Sequence, residues 1–148
     1  MPYKHVLVAV DLSEESTQIL DKARETANSH GAKLSLLSVV KPLTQVYGGL
    51  DMAPIASGAV SFEEEALQRA DAQLKDLGSR YGVADNDVHV LLGAPAHEIR
   101  EAAKAYGADL IIMGTHGRHG LGLLLGSTAN AVLHGLECDV LVVRVHFE

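Results

Sequence analysis

Residues 111–130 read IIMGTHGRHGLGLLLGSTAN. A short apolar run stops at Gly114, and five glycines (114, 117, 120, 122 and 126) follow within thirteen residues. Ser127 and Thr128 then open a helical pattern. A strand that passes through a glycine-rich loop into a helix start is an arrangement that holds phosphate. Glycines let backbone N–H groups close on an anion, and the first turn of a helix leaves donors without intrahelical partners. So many glycines also cost backbone entropy on folding, which argues against a purely connecting loop.

Outward from this stretch the chain alternates between apolar runs and helical patterns. Lys4–Val10 (KHVLVAV) is almost continuously apolar, as a strand covered on both faces must be. Asp11 or Ser13 is placed to cap the following helix, which carries Ile19, Leu20, Ala23 and Ala27 on one face and stops at Gly31. Lys33–Val40 is the second strand. Leu43–Val60 has no clear period and reads as a long connection. Ser61 and Glu64 form a capping box for a helix whose buried face is expected to hold Phe62, Ala66, Ala70, Leu74 and Leu77, and which ends near Tyr81.

Val88–Leu92 is the third strand. Pro95 opens a helix with Ile99, Ala102, Ala103 and Tyr106 on its apolar side, and Gly107 ends it. Asp109–Met113, a helix over about 127–134, and Asp139–Val145 complete the series. The alternation predicts an α/β three-layer fold, a Rossmann-like doubly wound sandwich in one domain over residues 1–148. Its five-stranded parallel sheet takes the order 3-2-1-4-5. In that order the winding reverses between strands one and four, and ligands bind beyond the carboxyl ends of strands at such a point. Asp11 and Gly114 end those two strands.

The composition excludes several classes of function. A formal charge of -7, with no basic stripe, gives no general attraction for nucleic acid or an anionic membrane. No apolar run approaches the roughly 20 residues that span a bilayer. One cysteine, Cys138, allows no internal disulfide and reads as a small buried hydrophobe. With no signal-like N-terminus, the expected location is cytoplasmic. His116 and His119 have the spacing of metal ligands but no local Cys or acidic partner, so no metal site is assigned. The Gly120, Gly122, Gly126 spacing mimics a dinucleotide fingerprint, but it does not follow the first strand, and Asp139 begins a strand rather than ending one. No nucleophile elbow, Walker lysine or carboxylate pair is present, so no catalytic residue is assigned.

KHVLVAVDLS (4–13), AKLSLLSVV (32–40), Gly93–Pro95 with Ile99, ADLIIMG (108–114), residues 115–127 and CDVLVV (138–143) together resemble the universal stress protein family along the whole chain. The family has members that bind ATP and members that do not. The ATP-binding pattern resembles Gly-x2-Gly-x9-Gly-(Ser/Thr), whose anchors correspond to Gly114, Gly117, Gly126 and Ser127. The spacer between Gly117 and Gly126 is eight residues, one short of that pattern, while the glycines are kept.

The resemblance implies an adenine nucleotide, ATP, as ligand, and Asp11 is a candidate to hold an accompanying Mg2+ through water. Asp11 and Val39 would lie near adenine and ribose, the backbones of Gly114 and Gly117 would approach ribose and phosphates, and Gly126, Ser127 and Thr128 would hold phosphate. Arg118 is a candidate phosphate contact from the loop. The resemblance also implies a homodimer made by the last strand, Asp139–Val145, and an unidentified protein partner. The alternatives are a non-nucleotide member acting through dimerisation, and a weak ATPase.

Overall fold

The computed structural model describes residues 2–42, 56–115 and 127–146, with the side chains of 56–61 and 127 excepted. The elements are β1 (His5–Ala9), α1 (Ser16–His30), β2 (Lys33–Val40), α2 (Ala56–Arg80), β3 (Val88–Leu92), α3 (Pro95–Tyr106), β4 (Leu110–Gly114), α4 (Ser127–Leu133) and β5 (Asp139–Val143). The strands form one parallel sheet in the order β3-β2-β1-β4-β5, as predicted.

The period of two along each strand sorts side chains between two buried layers. Val6 and Val8 of β1, Leu36 of β2, and Leu110 and Ile112 of β4 pack with Ile19, Leu20 and Ala23 of α1 and Leu74 of α2. Leu7 and Ala9, Leu37, and Ile111 and Met113 pack on the other side with Ile99, Ala102 and Ala103 of α3 and Ala129 and Val132 of α4. Both faces of β1 and β4 are covered, which is why their sequences are continuously apolar. The first two crossovers carry α1 and α2 to one face. The winding then reverses, and right-handed connections put α3 and α4 on the other.

Two helix ends are closed by glycine in the left-handed region. Gly31 (φ 64°) and Gly107 (φ 69°) each donate back into the last turn, as expected from sequence.

The helix starts differ from expectation. α1 begins at Ser16 behind Glu15, with no side-chain cap, because Asp11 and Ser13 are engaged with each other. α2 begins at Ala56, so Ser61 lies inside the helix and does not cap it. The helical start that the capping box marked is six residues late, and residues 56–60 belong to α2 rather than to the connection. The remainder of the predicted connection, 43–55, lies outside the described residues. Phe62, expected on the buried face, is 65% exposed. The buried side of α2 among the described side chains is Ala70 and Leu74, with Leu77 partly buried. A helix of 25 residues is about 37 Å long. The eight-residue strand β2 beside it is about 26 Å. The difference fits an N-terminal turn of α2 with no sheet to cover it.

Candidate functional site

The C-terminal ends of β1 and β4 lie side by side. Val6, Leu7 and Val8 pair with Leu110, Ile111 and Ile112. Continuing that register brings the residues after Ala9 next to Gly114. On the other side, Ala9 pairs with Leu37 and the amide of Val10 donates to the Leu37 carbonyl at 3.0 Å, so Val39 stands near the end of the same strand. Asp11, Val39 and Gly114 therefore share one edge of the sheet, at the point where the strand order reverses.

Asp11 is exposed and organises the β1–α1 loop. Its Oδ1 accepts the Ser13 amide at 3.1 Å, the Ser13 hydroxyl at 2.6 Å and the hydroxyl of buried Ser16 at 3.5 Å. Among the described residues, Oδ2 accepts nothing, and this leaves one carboxylate oxygen for another donor. Leu12, between Asp11 and Ser13, has φ 62°. A leucine in the left-handed region costs about 1–2 kcal/mol. The Asp11–Ser13 contacts hold it there, while its side chain packs on the α1 side of the core. Neither Leu12 nor Ser16 stood out in the sequence, since nothing local marks a leucine for a positive φ.

Gly114 is the last residue of β4 and pairs with Val143. The next residue, Thr115, donates its amide to the Val143 carbonyl at 2.9 Å and accepts the Val145 amide on Oγ1 at 3.3 Å. The segment after β5 is thus drawn back over this edge. Gln18 of α1 holds it with a two-way contact to the His146 backbone, at 2.8 and 2.9 Å.

Thr128 is half-buried in the first turn of α4. Arg100 of α3 anchors that helix by donating to the Ala131 carbonyl at 2.8 Å. Gly117, Arg118 and Gly126 lie outside the described residues, as does the side chain of Ser127. At the end of β3, Gly93 donates to the Val40 carbonyl, and a Cβ there would stand 2.6 Å from Glu98 Oε1, so the first turn of α3 closes onto a residue without a side chain.

A concavity lies toward the opposite end of the sheet, between α3 and the segment leading into β5. Arg100, Lys104, Glu101, Glu137 and Cys138 line it. Its charges oppose each other. Burial, then Asp139 and Asp109, push the Cys138 thiol up, so the sulfur is protonated and unreactive at neutral pH. Cys138 is half-buried, less enclosed than its sequence suggested. Among the described residues, no group of three or more His, Cys, Asp or Glu side chains is placed to hold a metal ion, and no helix is long and apolar enough to cross a membrane.

The fold defines a Rossmann-like α/β protein whose sheet order reverses between β1 and β4. The family model of the universal stress proteins matches residues 2–144. Universal stress protein A homolog 1 of Coxiella burnetii (strain RSA 493 / Nine Mile phase I) is 41% identical over 143 residues, covering 97% of each chain. Among solved structures, a universal stress protein from Lactobacillus plantarum superposes with a TM-score of 0.72 at 26% identity, covering 97% of this chain and 99% of the other. A universal stress protein solved in complex with cAMP superposes with a TM-score of 0.60 at 27% identity, covering 97% and 98%. The chain belongs to the universal stress protein family.

Proposed function

We propose that this chain is a stress-response regulator that binds ATP, with Mg2+, in the crevice at the ends of β1 and β4, and turns it over slowly or not at all. One observation carries the reading: Asp11, Val39 and Gly114 meet where the sheet reverses its winding. The cAMP complex of a 27% identical relative supports an adenine nucleotide as the ligand class. The donor set fits. Oδ2 of Asp11 accepts ribose hydroxyls, Val39 offers an apolar side to adenine, and Gly114 lets the backbone approach the sugar. Gly117, Arg118, Gly126, Ser127 and Thr128 hold the phosphates. Because α4 has only seven residues, individual N–H and hydroxyl groups do this, with little help from a macrodipole.

Phosphoryl transfer needs cationic stabilisation. Between Gly114 and Thr128 the sequence supplies one residue of fixed positive charge, Arg118, which suits a sensor better than an enzyme. In this reading the whole chain acts as one cytoplasmic domain and dimerises through β5. No strand stands beside the outer edge of β5 among the described residues, so its backbone groups are open to pair with a second copy. A partner protein then reads the nucleotide-dependent surface.

The test is to denature the purified protein and chromatograph the supernatant for nucleotide, then to titrate nucleotide-free protein with ATP and Mg2+. The expected result is bound adenine nucleotide or saturable binding below millimolar ATP. Neither of these at millimolar ATP overturns the reading in favour of a non-nucleotide member acting through dimerisation.

A further inference from the structure

The segment leading into β1 is fastened around His30. Tyr3 donates its backbone N–H to Nδ1 of His30 at 3.2 Å, and the two rings lie 5.0 Å apart at 57°. The Tyr3 hydroxyl donates to Oδ2 of Asp139 at 2.7 Å. His30 is the last residue of α1 and Asp139 the first of β5, an edge strand, so Tyr3 joins the two.

The first of these bonds assigns a protonation state. A backbone N–H only donates, so Nδ1 presents its lone pair and the ring is neutral, with its proton on Nε2. A second proton has only Nδ1 to occupy, where it would face the Tyr3 N–H. We propose that His30 and Tyr3 form an acid-released latch, in which protonation of His30 breaks the Tyr3 bond and frees the head of β5 from the end of α1.

The groups around the latch leave histidine as its trigger. Tyr3 faces His30 from the N-terminal segment. Lys4 and Lys33 stand where β1 and β2 begin, and Lys33 is held 3.0 Å from Asp87. Asp109 is occupied by the amides of Lys4 and His5. The hydrogen bond to Asp139, then burial and the charges of Asp139 and Asp109, push the Tyr3 phenol up, so it remains a donor through neutral and acid pH. The latch is independent of nucleotide binding.

The test is an NMR titration of the full chain, following the His30 ring, the Tyr3 amide and the Asp139 carboxyl carbon together. As His30 takes up its proton, the Tyr3 amide is expected to shift with the same midpoint and to exchange about tenfold faster than the base-catalysed trend predicts. The Asp139 carbon is expected to respond at that midpoint. His30→Gln keeps an acceptor that does not titrate, so its Tyr3 amide should show no step. Tyr3→Phe should keep the amide step and lose the Asp139 response, which tests the connection to β5 even if His30→Gln does not fold. A Tyr3 amide that stays protected while His30 charges overturns the latch, as does a step that persists in His30→Gln. An Asp139 response that persists in Tyr3→Phe overturns its connection to β5.

Discussion

At the N-terminal ends of the strands, polar side chains bond to backbone groups and to one another. Asp109 accepts the amides of Lys4 and His5, each at 2.9 Å. The Tyr106 carbonyl can only accept, so Nδ1 of His5 donates to it at 3.0 Å, and Nε2 then accepts the Ser35 hydroxyl at 2.7 Å. The His89 ring stacks on Tyr106 at 4.3 Å. At the C-terminal ends of β1 and β4, Asp11 has an oxygen with no partner among the described residues, Leu12 is strained, and the strand ends in a glycine. Ser35 and His5 have the spacing of a nucleophile and its base, yet Ser35 is 1% exposed, so the pair locks β1 to β2 and α3. One end of the sheet spends its polar groups on itself and gains rigidity. The other keeps an oxygen of Asp11 available, as the proposed ligand site requires.

That contrast breaks if a change at one end has the effect assigned to the other. The largest effect is expected from Gly126→Val, which blocks phosphate approach. Losing two charge-assisted hydrogen bonds weakens ATP binding about a hundredfold by calorimetry, with the melting temperature unchanged. Asp109→Ala should do the converse. It removes the acceptor of two amides at the start of β1, which costs about 2 kcal/mol in denaturant unfolding and leaves ATP affinity intact. A hundredfold loss of affinity in that variant would mean the two ends are not separable. Asp11→Asn keeps an oxygen for the Ser13 turn but removes the charge, and a few-fold weaker ATP binding is expected.

The smallest effect concerns pH. Burial, the largest influence, lowers His89 below the usual histidine value; Asp87 opposes it, and Lys33 and His5 add to it. A depressed base favours the folded state when neutral. Its contribution is complete above the unfolded histidine value and is lost as pH falls through the lower folded one. His89→Phe keeps the stack on Tyr106 and removes the proton, so melting temperature should fall less between pH 7 and pH 5 than in the parent. An unchanged slope would assign that pH dependence to another group. Asp109 contributes in a more acid window. Burial raises it, but the amides of His5 and Lys4 outweigh burial and hold it below the usual carboxylate range. Its stabilisation is complete above the ordinary carboxylate value and is lost as pH falls through the lower folded one.

Much of this was legible in the chain. Periodicity located each strand of the described residues, because strands buried on both faces must be apolar throughout, although β5 stops at Val143 and not at the expected Val145, whose amide goes to the Thr115 hydroxyl instead; glycines at 31 and 107 marked helix ends that only a left-handed residue closes well. Helix starts were harder to read. Ser61 and Glu64 satisfy a capping pattern, yet α2 continues upstream through Ala56, because a local pattern permits a start without requiring one. Phe62 has the spacing of a buried residue, but exposure depends on how far the helix outruns the sheet.

The order of elements, the parallel sheet, the family and the glycine-rich stretch from Gly114 to Gly126 are written in the chain, since each rests on local spacing and residue type. Folding was needed to show that Asp11 turns its carboxylate on Ser13 instead of capping α1, that Leu12 is strained, and that His5 joins Ser35 and Tyr106 while Tyr3 joins His30 and Asp139. Those contacts join residues as far as 136 positions apart, and no local pattern encodes a hydrogen bond that exists only after the strands have found their register.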